Sequence, residues 1–199
     1  IVTACALKLD AAGNVMGNPV EWLANPGVPI PPEASAVHGV TDEIAQSKGA
    51  DLGETVSSII ATLKGFLDEG TPVVAYNAPY DFTIIRQHAE DFGIDWPLNP
   101  KPILDPLVLD KALVKFRTGK RRLEIIAPVY GVVLTDAHNA TADAIAAELM
   151  NGLDEAATRV IGSAKSLTTR NDLALGIGRA LNARVAEPGC GLHLEENAV

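Results

Sequence analysis

Cysteine is nearly absent from this chain: two in 199 residues, Cys5 in an apolar stretch and Cys190 in a polar one, with no Cys-x-x-Cys spacing. That excludes a disulfide framework, and both are expected to be reduced thiols. Long apolar runs are missing too, since none approaches the roughly 18 residues that a membrane span requires. The amino terminus lacks the basic, apolar, small-residue order of a secretory signal, so a soluble, cytoplasmic protein is expected. Positive charge is scarce: 16 Lys and Arg face 25 Asp and Glu, a net −9. A general duplex-coating protein is thereby disfavoured, because such proteins draw most of their affinity from neutralising phosphates.

What is present is a globular composition. With 47% hydrophobic residues the chain can bury the core of one domain. Positive charge, where it occurs, is concentrated: Lys111 to Arg122 (KALVKFRTGKRR) holds six basic residues and no acid, which leaves the rest of the chain at −15. Such a run is most often a solvated helix end and loop, but it could also guide a phosphate backbone toward an otherwise acidic site.

Residues 1–9 form an expected strand and Val15 to Leu23 its hairpin partner, joined by Ala12-Gly13-Asn14, with Pro19 forcing an edge or a bulge. Asn25 to Pro32 carries four prolines in eight residues and is expected to be extended. Thr41 caps a helix starting at Asp42, and Val56, Ile59, Ile60, Leu63 and Leu67 give helical spacing over Glu54 to Leu67, ended by Gly70. Thr71 to Tyr76 is a buried strand leading into Asn77-Ala-Pro-Tyr-Asp81-Phe82, where Pro79 suits a first helical turn. Ile103 to Asp105 is a further strand, and Pro106 to about Val114 and Leu123 to Tyr130 are helices. Thr141 or a neighbour caps a helix carrying Asp143, Ile145, Leu149 and Leu153. Strands alternating with helices after a hairpin imply an α/β fold with a mixed sheet. Residues 1–162 are assigned to this domain. Residues 163–199 are assigned to a helical extension, weakened by Gly176 and Gly178, and a frayed tail from Glu187.

Taken singly, the candidate functional residues have ordinary explanations. Asp81 and Asp143 could be first-turn acids stabilised by the helix dipole, Asn77 a turn former, and His138 a loop residue. Their order is more informative. Asn-Ala-Pro-Tyr-Asp-Phe opening a helix is followed by Asp105-Pro-Leu-Val-Leu-Asp110, by Leu123-Glu-x-x-Ala-Pro-Val-Tyr-Gly-Val, and by His138-Asn-Ala-Thr-Ala-Asp143-Ala opening another helix. This succession closely resembles the DEDDh-type 3′-to-5′ exonucleases, a ribonuclease H-like family that includes the epsilon subunit of bacterial replicative DNA polymerase. Pro26 to Glu43 resembles the family's connecting segment, and the resemblance covers residues 1–153.

The resemblance implies that Asp81 and Asp143 are ligands of Mg²⁺ or Mn²⁺ in a two-ion site and that His138 is the general base. It implies that Asn77 and Phe82 flank the path of the substrate strand, with His38 and Gly39 near the terminal nucleotide. Lys120, Arg121 and Arg122 are the residues of the basic run expected to contact the nucleic-acid backbone. The implied substrates are 3′ ends of single-stranded or frayed DNA or RNA, and a DNA polymerase is a candidate partner, although the tail shows no recognisable docking peptide. Two cations suit this chemistry because they neutralise the oxygens that repel an incoming hydroxide.

One family feature is not found. The family's first segment is Asp-x-Glu on a central strand, and no aspartate here has glutamate two positions later. The two-ion site is then incomplete in this chain alone, with only Asp81 and Asp143 to hold metal, and two expectations follow: a nuclease whose parent protein carries that segment upstream of Ile1, this chain alone being inactive, or a non-catalytic nucleic-acid or protein-binding module. Loss of a central strand would strip backbone partners from two neighbours, which favours the first. Leu192-His193-Leu194 is too short and acid-flanked to be expected as a replacement.

Overall fold

The computed structural model describes residues 1–10, 15–96, 100–101, 103–130 and the backbone of 189–195. Strands β1 (Thr3–Leu9) and β2 (Val15–Asn25) pair antiparallel as the opening hairpin requires. Their register runs from Thr3 opposite Leu23 to Ala6 opposite Val20 and resumes at Lys8 opposite Met16. The extra residues of β2 surround Pro19, which has no N–H to give the ladder, so the proline produces the expected irregularity. β1 is buried at every position but Thr3 and Lys8, the pattern of a strand covered on both faces.

Among the described residues the sheet is mixed and six-stranded. Its other members are β3 (Ala50–Asp51), β4 (Val73–Val74), β5 (Ile103–Leu104) and β6 (Gly189–Glu195), in the order β3-β2-β1-β6-β4-β5. β6 runs antiparallel to β1, from Thr3 opposite Glu195 to Leu9 opposite Gly189, and parallel to β4. This corrects the expectation of a frayed tail with no replacement for a central strand. The sequence signal was weak because Gly189 and Gly191 dilute strand propensity. The backbone edges of β1 and β4 override it, since each would otherwise have N–H and C=O groups without partners.

Among the described residues six helices accompany the sheet: α1 (Pro32–His38), α2 (Asp42–Lys48), α3 (Leu52–Asp68), α4 (Ala78–Phe92), α5 (Pro106–Leu113) and α6 (Leu123–Ile126). The expected extended stretch ends one residue before α1, because Pro32 takes the first helical position, where a missing N–H costs nothing. Thr41 caps α2 as expected, its hydroxyl accepting from the Ile44 N–H. Leu123 to Tyr130, expected as one helix, is α6 followed by a 3-10 turn over Ala127–Tyr130. Pro128 explains the change, for it cannot donate to the carbonyl four residues back.

The main core lies on the face covered by α3 and α4. Val56, Ile59, Ile60 and Leu63 of α3 and Ile85 and Ala89 of α4 pack with Ala4 and Ala6 of β1 and Val73 and Ala75 at β4. A smaller cluster forms where Ile126 and Ala127 meet Tyr76, Leu123 and Tyr130. Tyr76 thus faces α6 while its neighbour Ala75 faces α3, the alternation of a strand end.

Candidate active site

The chain reverses direction at Asn77. Strand β4 delivers Ala75, whose N–H donates to the Leu104 carbonyl of β5, and two residues later Asn77 adopts φ 62° and ψ 41°. It is the only non-glycine with positive φ among the described residues. Asparagine tolerates the left-handed region better than other L-residues, which is why it fits between a strand and a helix that must start at once. Pro79 lies in the first turn of α4, and Asp81 follows on the same turn.

Asp81 is only 7% exposed. It lies in the first turn of α4, where the helix dipole favours negative charge. Asp105 holds this corner together. Its Oδ1 accepts from the Asn77 N–H at 2.9 Å and from the Leu107 N–H at 2.9 Å. One oxygen thereby caps α5 and fixes the residue that launches α4. Its Oδ2 is buried, with no hydrogen-bond partner among the described residues. The sequence contains Asp105 within the Asp-Pro-Leu motif, but nothing in its spacing indicated a tie to Asn77.

The basic run is built around a buried acid. Asp110 of α5 is completely buried. Its Oδ1 accepts from Arg117 Nη2 at 2.6 Å and from the Tyr130 hydroxyl at 2.7 Å, and its Oδ2 accepts from Arg121 Nη1. Arg121 also donates to the Val114 carbonyl at 2.6 Å, and the Tyr76 hydroxyl donates to the Arg121 carbonyl at 2.7 Å. Burial opposes ionisation of Asp110, but hydrogen bonds from Arg117, Tyr130 and Arg121 outweigh it and hold the carboxyl below its ordinary value. Burial and then the charges of Asp110 and Asp105 push the Tyr76 hydroxyl up to about 12. Burial and the bond to Asp110 push Tyr130 up to about 12 as well. Both therefore remain proton donors at any ordinary pH.

Asn77 and Asp81 sit on one turn, and Tyr76, immediately before them, is bonded to Arg121. Of the three basic residues expected to contact a nucleic-acid backbone, Arg121 is already engaged by Asp110 and has a side chain only 16% exposed. This narrows the expectation to Lys120 and Arg122, which are exposed, although Arg122 lies 3.6 Å from Glu124. Phe82, expected along the substrate path, packs edge-on against Trp96 with ring centroids 6.2 Å apart and borders the main core. His38 ends α1, where its Nδ1 accepts from the Val40 N–H, and Gly39 closes the helix with φ 73°. His138 and Asp143 lie outside the described residues. Asp81 offers a hard oxygen of the kind Mg²⁺ or Mn²⁺ prefers. Among the described residues, however, no group of three or more His, Cys, Asp or Glu is placed to hold a metal ion. No helix among them is long and apolar enough to cross a membrane.

Residues 1–149 match a family model named RNase_T and described as Exonuclease. A DNA polymerase III subunit epsilon-like protein of Rhodobacter capsulatus is 27% identical over 148 residues, covering 73% of this chain and 20% of that protein. Uncharacterized exonuclease CP81 of Escherichia phage 186 is 38% identical over 95 residues, covering 48% of this chain and 43% of the phage protein. The chain thus spans between a fifth and just over two fifths of the length of these relatives. Among solved structures, exonuclease I superposes with a TM-score of 0.58 at 20% identity, over 77% of this chain and 36% of that one. The zinc-bound complex of E. coli ExoI with single-stranded DNA gives 0.60 at 23% identity, over 79% and 36%. These likenesses are of fold, and the fold is the ribonuclease H-like α/β architecture.

Proposed function

This chain belongs to the RNase_T exonuclease family, of the DnaQ-like DEDDh type, and from that premise we propose that it serves a metal-dependent 3′-to-5′ exonuclease acting on single-stranded or frayed ends. The observation that carries the reading is the corner at the end of β4, where Asp105 fixes left-handed Asn77 and so sets buried Asp81 on the first turn of α4. A buried acid on the first turn of a helix whose start is fixed suits a task that needs a fixed carboxylate.

In this reading Asp81 and Asp143 are the residues that hold Mg²⁺ or Mn²⁺. When bound, the cations supply charge neutralisation at the scissile phosphate and its leaving oxygen. His138 accepts a proton from the attacking water, the water oxygen forms the new bond to phosphorus, and the bond to the 3′-oxygen of the preceding nucleotide breaks. That oxygen leaves with the electron pair and takes up a proton. The products are a nucleoside 5′-monophosphate and a strand shorter by one. Asn77 positions the turn that carries Asp81, and Lys120 and Arg122 contact the backbone of the incoming strand. Association with a DNA polymerase is the matching partner proposal, supported by the likeness to an epsilon-like protein.

The test uses the chain extended upstream of Ile1 to include an Asp-x-Glu segment, and oligonucleotides labelled at either end, with Mg²⁺ or Mn²⁺ supplied or chelated. Stepwise shortening from the 3′ end is expected, with Asp81→Asn and His138→Ala each lowering the rate at least about 100-fold, the usual scale for losing a general base or a positioned charge. Undiminished cleavage by either variant would refute the site assignment. Absence of an Asp-x-Glu segment upstream of Ile1, or binding without cleavage by the protein that carries it, would favour the non-catalytic module.

A further inference from the structure

Phe116 is 94% exposed, more than any other large hydrophobic residue described, where the next are Val28 at 60% and Val129 at 58%. An isolated exposed apolar side chain on a loose loop would mean little, but this loop is not loose. Arg117 and Arg121 are both tied to buried Asp110, the Arg121 guanidinium also holds the Val114 carbonyl, and Arg117 lies over the Tyr130 ring. The Arg117 N–H closes a turn onto the Val114 carbonyl at 3.3 Å. Phe116 is therefore carried at the tip of a turn whose flanks are pinned on both sides, and its ring is held out in water rather than left there by fraying.

The charge around the ring is one-sided. Lys111, Lys115 and Lys120 are exposed and form no ion pair with any described residue, while Arg117 and Arg121 are consumed by Asp110. The free cations are the lysines, in an acid-free stretch of a chain that is otherwise strongly acidic. The loop is also anchored toward the candidate active site, because Tyr76, the residue before Asn77, donates to the Arg121 carbonyl.

We propose that the turn between α5 and α6 is a stacking platform for single-stranded nucleic acid, with the Phe116 ring receiving an unpaired base and Lys115 and Lys120 contacting the phosphates beside it. An exposed ring flanked in sequence by exposed lysines fits a strand that offers π-faces and anionic phosphates in alternation, and it needs no particular base. A duplex would offer the phosphates but keep its bases stacked internally. The platform rests on the nuclease reading and adds to it a strand contact away from the catalytic corner, reached through Tyr76.

The experiment measures binding of labelled oligothymidylate, and of an abasic strand of the same length, to the whole chain with divalent cations chelated. Phe116→Ala is expected to weaken oligothymidylate binding about fivefold or more, on the scale of one lost stacking contact. It should erase most of the preference over the abasic strand, and Phe116→Trp should restore both. Lys115→Ala with Lys120→Ala should reduce the salt dependence of binding, whereas Phe116→Ala should leave that slope unchanged. Hydrolysis of a small aryl ester of thymidine 5′-monophosphate, which has one base and no strand beyond it, by the protein that carries Asp-x-Glu upstream of Ile1 tests the nuclease reading by itself. Ester hydrolysis together with equal binding by Phe116→Ala and the unsubstituted chain would overturn the platform alone. A protein carrying the Asp-x-Glu segment upstream of Ile1 that neither hydrolyses the ester nor binds oligothymidylate would overturn both readings. Binding to polyglutamate stronger than to oligothymidylate would overturn the platform in favour of an acidic protein partner.

Discussion

Replacing Asp110 tests most directly how the basic run is held. Its carboxylate has no exposure to solvent and accepts from two guanidinium groups and a phenol, while the partner side chains, Arg117 and Arg121, are 15% and 16% exposed. Asp110→Ala would leave two largely buried cations facing each other without their shared counter-charge. Breaking a buried pair from one side costs about 3–5 kcal/mol, because the desolvated charge left behind is not compensated. For a domain of this size that corresponds to a fall in Tm of roughly 6–20 °C. Urea denaturation of the variant should show the loss as a lower midpoint, and a double-mutant cycle with Arg117→Met should be strongly non-additive, since the second change removes one of the stranded cations. The acid limb gives an independent reading. The folded carboxyl is held below its ordinary value, so its contribution is fully present above the unfolded value of about 3.9 and is lost as pH falls through the lower folded value. Asp110→Asn should remove that part of the acid destabilisation. A loss below about 1 kcal/mol, the worth of an exposed pair, with additive behaviour in the cycle, would refute the buried arrangement.

The other corners of the fold make narrower predictions. A Cβ at Gly49 would lie 2.4 Å from the Ala45 carbonyl oxygen and 2.6 Å from the Asn25 nitrogen. Both are backbone atoms that cannot swing aside, so Gly49→Ala should cost at least about 1–3 kcal/mol in urea denaturation, and an unchanged midpoint would contradict this close approach of α2 to β2. Because Asn77 has φ 62°, Asn77→Gly should keep stability within a few tenths of a kcal/mol, whereas Asn77→Val should lose about 1–2 kcal/mol. Equal stability of the two variants would rule out the left-handed turn. With Tyr76 and Tyr130 pushed up to about 12, their contribution to stability is fully present below the unfolded value of about 10 and is lost as pH rises through 12. Phenolate absorbance should therefore show a late-titrating phenol lost in Tyr76→Phe and another lost in Tyr130→Phe, and no such loss in either variant would contradict their burial.

Local order along the chain was legible because short-range chemistry sets it. Proline positions, the Thr41 cap, the apolar spacing of α3 and the Asn-Ala-Pro-Tyr-Asp turn each act over a few residues, and each gave its element within a residue or two. The family resemblance was legible for the same reason, since it rests on short motifs in order, and the match over residues 1–149 agrees with it. Three things were decided only by packing between distant segments. Gly189–Glu195 is a central strand because β1 and β4 each present an edge that requires a partner, although its own propensity is poor. Asp105 steers Asn77 across 28 positions because β5 lies beside β4. Arg121 looked like a phosphate ligand in a run of cations, yet it is an internal strut because the fold buries Asp110 beneath it and an interior carboxylate must find positive charge.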